Sequence, residues 1–299
     1  MELRQLEYFV RVVEEASFTK AAAALHVAQP GISAQIRKLE RELGQDLLDR
    51  SGRTVRPTEA GEAVLPYARA ALGAVSGARQ AVEELTGLLR GQVTLGTVTS
   101  LGPSIDLPAL LAGFHHDHPA VEIGLTADTS DRLLEAVAGG RIDLAVVGLA
   151  GEPPPGVGVQ IVVDEALVVA VSHDDPLAAR TTMALGGLAD RPIMSLPRGT
   201  GLRASVENAC AAAGFRPHVA FEAGDPNMLA QLAARGLGVA VVPESVARAH
   251  AAQLHTVGFR PALRGVLALA WRTEGPVGPA ARAVVRHARA HLAEPATDH

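Results

Sequence analysis

The stretch HVAQPGISAQIRKLERELG, His26 to Gly44, sets two helix-breaking residues, Pro30 and Gly31, directly before an apolar stripe. Ile32, Ile36, Leu39 and Leu43 recur at i, i+4, i+7 and i+11, the spacing of one buried helix face. Proline is tolerated in a first helical turn, where its missing N–H would lack an intrahelical partner anyway. The pair therefore reads as the start of a helix. Gln29, Pro30, Ser33, Ala34, Arg37 and Arg41 fall on the other side, and Lys38 adds to their charge.

Upstream, Leu3, Leu6, Phe9, Val10 and Val13 mark an amphipathic helix over residues 3 to 15. Ser17 is a good N-cap for a short alanine-rich helix, FTKAAAALHV, whose small side chains let a neighbour cross closely. Two helices joined by a tight turn, the second with a polar and cationic outer face, form a helix-turn-helix. Its second helix would enter the major groove, where Gln29 and Ser33 reach base edges and Arg37 reaches a base or phosphate. An ordinary helical hairpin with a solvated charged face is the alternative. Downstream, Gly52 separates Leu47–Arg50 from Thr54–Arg56, short arms suited to a β-hairpin that carries Arg50, Arg53 and Arg56. A basic hairpin beside a helix-turn-helix is a wing.

The run FTKAAAALHVAQPGISAQIRKLERELGQDLLDRSGRTVRPTEAG resembles the signature of the LysR-type transcriptional regulators nearly end to end. The resemblance implies a multidomain α and α/β protein. It would have a winged helix-turn-helix, a long linker helix and a two-lobed effector domain similar to periplasmic binding proteins. It further implies promoter DNA as partner, dimers that often pair into tetramers, contact with RNA polymerase, and a small-molecule effector in place of a fixed cofactor. Ala28 stands where relatives often have a capping serine, Ala34 where many have a basic residue, and Leu48 where phenylalanine is common.

From Thr58, a suitable N-cap, the pattern becomes one long helix. Val64, Ala68, Ala71, Val75, Ala78, Val82, Leu85 and Leu89 alternate spacings of four and three, a heptad seam that predicts a homodimer. After it the period changes. VTLGTVTS, VEIGLTA and IDLAVVGL read as strands between helices, VGVQIVV and ALVVAVS as two consecutive strands, and a second alternation closes on GVLALAW and a helix. Such alternation predicts a mostly parallel sheet and two lobes with a cleft between them. The expected domains are 1–58 for DNA binding, 59–90 for the linker and 91–299 for the effector. Lobe I takes about 91–162 and 266–299, and lobe II about 163–265.

Strand-to-helix junctions nominate cleft residues: Thr99 and Ser100, Asp128 and Thr129, and Pro197, Arg198, Gly199, Thr200 and Gly201 before a helix of the other lobe. Helix starts with free N–H groups favour an anion. Asp128 would repel one and keeps a neutral or amine-bearing effector open. The resemblance also points to Ser100, Thr129 and the 197–201 loop as contacts, with Asp225 and Pro226 at the cleft edge. For Thr129 and Thr200, helix capping is the plainer role.

Charge distribution agrees with a nucleic-acid-facing head. Nine of the 27 Lys and Arg and eight of the 32 Asp and Glu lie in residues 1–58, giving +1 there and -6 beyond. The first residues are charged and amphipathic rather than signal-like, and no apolar run reaches membrane-spanning length, so a cytoplasmic protein is expected. The single cysteine, Cys210, excludes an internal disulfide framework. His115, His116 and His118, and His287 with His291, lack a third ligand at metal-binding spacing. No catalytic constellation is recognisable, so an enzyme is not expected. Two other readings compete: a solute-binding protein or small enzyme built on the α/β body, and a DNA-binding regulator without an effector.

Overall fold

The structure, a computed structural model, describes residues 1–52, 54–84, 89–103, 105–273 and 278–292. It contains two compact units, the first running to Arg90 and the second starting at Gly91.

In the first unit α1 (Leu3–Glu15), α2 (Phe18–Ala24) and α3 (Gln29–Leu43) enclose one core. Phe9, Ile32, Ile36 and Leu39 are completely buried in it, each worth about 1.5–3 kcal/mol of apolar burial. Ser17 caps α2, its side chain accepting from the Lys20 N–H. His26, at φ 53°, turns the chain between α2 and α3. The wing is smaller than its sequence pattern: β1 (Leu48–Asp49) pairs antiparallel with β2 (Arg56–Pro57) over two residues. Asp49 turns its carboxylate back onto the Ser51 N–H and hydroxyl, starting the turn early. Arg53 lies outside the described residues.

The linker helix is α4 (Glu59–Glu84), capped by Thr58, whose hydroxyl accepts from the Gly61 N–H and donates to the Asp46 carbonyl. Two corrections to the seam follow. Ala68 is buried, with Val64 and Ala71 packed alongside it, in the core of the same unit, so this half of the seam packs on the helices of its own unit. Leu89 is not helical; Gly91 begins β3 at φ 124°, which a helix cannot accommodate. Residues 85–88, including Leu85, lie outside the described residues, as does the Val82 side chain.

The second unit is built on a nine-stranded sheet. In chain order come β3 (Gly91–Thr97), α5 (Leu107–Asp117), β4 (Val121–Ala127), α6 (Ser130–Ala138) and β5 (Leu144–Leu149). The long β6 (Val157–Val171), β7 (Thr182–Met183) and β8 (Ile193–Ser195) follow, then α7 (Gly201–Ala212), β9 (Val219–Glu222), α8 (Pro226–Ala234) and β10 (Val239–Pro243). Last are α9 (Glu244–Ala249), β11 (His255–Arg272) and α10 (Pro279–His291). The strand order is β4-β3-β5-β11-β6-β10-β8-β9, with β7 beside β11.

The expected pair of strands VGVQIVV and ALVVAVS is a single strand of 15 residues, β6. Asp164 and Glu165 do not break it, because both stay extended against Val266 and Gly265 of β11. At about 3.3 Å per residue such a strand spans roughly 50 Å, enough to serve two lobes. The sheet is also less parallel than the alternation implies. The outer strands pair parallel, but β11 runs antiparallel to both β5 and β6, and β6 to β10. Two strands that cross between lobes in opposite directions impose that reversal.

Each lobe has its own interior. Leu133, Val137, Val147 and Ala270 pack together in the first. In the second, Leu167, Val169 and Val171 of β6 face one core while Val168 and Ala170 face another. A sheet covered on both sides explains why this run shows no polar alternation.

Candidate functional site

The outer face of α3 is built by its start. Ala28 gives no side-chain cap, Pro30 occupies the first turn, and a Cβ placed on Gly31 would meet nothing within 4 Å. Gln29, Pro30, Gly31, Ala34, Arg37, Lys38 and Arg41 are exposed, and Ser33 is half-buried. The first N–H groups of a helix are its orphan donors; here the Gly31 N–H is bonded to the Ala28 carbonyl at 2.9 Å, with Gln29 beside it, while Arg41 lies in the last turn at the other end of α3.

Two of the predicted contacts are held within the unit. Lys38 Nζ lies 3.0 Å from Glu2, the N-cap residue of α1. Arg50 donates to the Glu40 carboxylate at 2.5 Å, and its guanidinium carbon lies over the Phe18 ring at 5.3 Å. Glu40 is 5% exposed and also accepts from the Leu47 and Leu48 N–H groups, at 3.1 and 3.3 Å. This buried carboxylate fastens the wing to the recognition helix. The sequence signal for Glu40 is its place one residue after Leu39, beside the buried stripe.

In the second unit a cavity of about 140 Å³ opens between the lobes. Thr99, Ser100, Asp128, Thr129, Pro197, Thr200, Gly201 and Pro226 line it. Arg198, Gly199 and Asp225 are not part of that lining. Arg198 is exposed, the Gly199 carbonyl accepts from the Asp131 N–H at 3.1 Å, and the Asp225 side chain caps α8 through the Asn227 N–H. The capping role expected of Thr129 and Thr200 is not what their side chains do. Neither gives its helix a side-chain cap bond, and the Thr200 hydroxyl donates to the Pro197 carbonyl instead.

Ser130, 1% exposed, is the residue that closes the back of the cleft. Its hydroxyl accepts from the Gly148 N–H of lobe I at 3.0 Å and from the Gly201 N–H of lobe II at 3.3 Å. The backbones approach so closely that a Cβ on Gly201 would stand 2.2 Å from the Gly148 carbonyl carbon. Glu165 and Ser245 also line the cavity, and the Glu165 carboxylate accepts from the Ser245 N–H at 2.9 Å. Both were missed because they come from β6 and the start of α9. The available signal was an acidic pair inside an apolar strand.

Elsewhere, His287 sits edge-on to Phe114 and stacks with His291, its ring nitrogen 3.2 Å from the Leu110 carbonyl. Among the described residues no group of three His, Cys, Asp or Glu is placed to hold a metal ion, and no helix is long and apolar enough to cross a membrane.

A winged helix-turn-helix with an exposed basic helix face, in one chain with a bilobal α/β unit around a cavity, defines the class of DNA-binding regulators that carry an effector-type domain. The comparisons with known proteins give the family. Residues 3–62 match the model of the bacterial regulatory helix-turn-helix protein, lysR family, and residues 86–293 match the LysR substrate binding domain. The chain is 37% identical to the HTH-type transcriptional regulator ShiR of Corynebacterium glutamicum over 246 residues, 81% of this chain and 82% of that one. It is 30% identical to a hydrogen peroxide-inducible genes activator of Pectobacterium carotovorum, over 93% of this chain and 92% of the relative. Full-length CbnR, solved with its target DNA, superposes with a TM-score of 0.58 at 28% identity, over 97% of this chain and 99% of that one. The chain belongs to the LysR family of DNA-binding transcriptional regulators, which are not enzymes.

Proposed function

We propose that this regulator binds promoter DNA as a dimer, and that a small molecule held between the lobes of its C-terminal unit changes that binding. Residues 1–58 read the DNA, 59–90 form the linker and 91–299 receive the effector. Gln29 and Ser33 contact base edges, Pro30 and Ala34 pack close to the groove, and Arg37 reaches a base or phosphate. Lys38 and Arg50 contribute to the basic surface while bound to Glu2 and Glu40. The protein acts in the cytoplasm, where it meets DNA and RNA polymerase.

The observation that carries the effector reading is the Ser130 bridge. The residues on either side of it, Thr129 and Gly201, also line the cavity. A ligand touching both lobes there binds one lobe arrangement better than another and so shifts the balance between them. The test is fluorescence anisotropy on the promoter region beside the protein's own gene. Gln29→Ala should relax sequence preference, costing about 1–3 kcal/mol at one base position, and Arg37→Ala should weaken binding to every sequence. Unchanged affinity and preference in both variants would remove α3 as the reading helix.

The peroxide response printed in one relative's name cannot run through an intrachain disulfide of this sequence. A disulfide within one chain needs two cysteines, and the sequence has Cys210 alone. Cys210 is fully buried, and burial, with Glu207 beside it, pushes its thiol pKa up, away from the reactive thiolate.

A further inference from the structure

Two carboxylates and no cation line the interlobe cavity. Among the described residues around it, Asp128 and Glu165 are the only charged ones, and no Lys, Arg or His is present. Asp128 sits at the rim, bonded to the Thr129 N–H and 3.6 Å from Arg132. Glu165 is half-buried, and its one described bond is from the Ser245 N–H, with no cation in ion-pair range among the described residues. Beside it the Ser245 hydroxyl oxygen is buried without a hydrogen-bond partner among those residues. The nearby buried Arg203 offers no compensation, because it is bonded to Glu207, Glu222 and the Leu196 carbonyl.

A leading N–H group of each helix start is already taken. The Asp131 N–H of α6 is bonded to the Gly199 carbonyl and the Gly201 N–H of α7 to Ser130. Apart from the hydroxyl-bearing Thr99, Ser100, Thr129, Ser130, Thr200 and Ser245, most of the wall is apolar, with Val163, Leu167, Leu196, Leu202, Val246 and Leu267. Its volume, about 140 Å³, is close to the roughly 150 Å³ of an engineered apolar cavity that accepts one benzene ring.

We infer that the cavity takes a small amine cation, one protonated amino group on an apolar body of about a single six-membered ring. The inference rests on the reading of the cleft as the effector site. An ammonium brings three donors to a wall that offers the Glu165 carboxylate and the Ser245, Thr99 and Ser100 hydroxyls. A carboxylate of the same size would meet Glu165 as a like charge.

The test is calorimetric titration of the full chain with benzylamine, benzyl alcohol and benzoate. Benzylamine should bind at least about tenfold more tightly than either of the others, the worth of one charge-assisted bond. Glu165→Gln keeps an acceptor for the Ser245 N–H but removes the charge, and should abolish the preference; Glu165→Asp should retain part of it. Benzoate binding tightest, a preference that survives Glu165→Gln, or no binding by any probe would overturn the amine inference. Leu202→Trp fills the cavity and should abolish binding. Binding of all three probes that persists in Leu202→Trp would overturn the cleft reading itself.

Discussion

Helix α3 begins Ala28-Gln29-Pro30-Gly31 and helix α7 begins Thr200-Gly201, and neither cap residue gives its helix a side-chain bond. In α3 the position of the glycine faces open space; in α7 it faces the Gly148 backbone at a distance that leaves no room for a methyl group. In α3 the glycine lies on an exposed surface, while the Gly201 N–H of α7 is taken by Ser130, 71 residues away in sequence. A helix start is therefore an anion site only if the rest of the chain leaves it free. That condition belongs to tertiary structure and not to the local residues.

The sharpest way to break the comparison is Gly201→Ala. The new Cβ would lie 2.2 and 2.3 Å from the Gly148 carbonyl carbon and oxygen, so the lobes must part or the helix must move. A loss of about 3 kcal/mol is expected in urea unfolding, at the upper end for overpacking. Wild-type stability would show that the lobes are not held at this distance. Ser130→Ala should cost less, about 2 kcal/mol, because it leaves the Gly148 and Gly201 N–H groups unpaired in a buried place. Its unfolding midpoint should fall between those of wild type and Gly201→Ala. The smallest effect, and the opposite sign, is expected for Gly31→Ala. Relief of glycine's backbone entropy should stabilise the chain by up to about 1 kcal/mol, while the methyl group on the exposed face weakens promoter binding. A destabilised Gly31→Ala with intact DNA affinity would erase the distinction between the two helix starts.

Legibility in the sequence follows the same division. The recognition helix was readable because its stripe, its proline and its exposed cations are local properties of fifteen consecutive residues. The linker seam was only half readable: periodicity shows that Val64, Ala68 and Ala71 share a face, but not that Ala68 is buried, with the other two packed beside it, in the core of the same unit. In the second unit, alternation located the strands but not the continuity of β6, since Asp164 and Glu165 look like a turn until β11 is seen beside them. Of the cleft, the junction residues Ser100 and Thr129 were visible because strand ends converge there. Glu165 and Ser245 were hidden because one comes from mid-strand and the other from a helix 80 residues further on.

The Glu40–Arg50 pair changes the ionic arithmetic of DNA binding. A cation that settles against a phosphate frees condensed counterions, and each such contact steepens the dependence of affinity on salt by about 0.9 in logarithmic slope. Arg50 enters that exchange with its charge already balanced by a carboxylate of its own domain. The salt dependence of this regulator should therefore count Arg37 among its phosphate contacts but not Arg50. A tally of basic residues between Gln29 and Thr58 overstates how many ions the protein displaces when it lands.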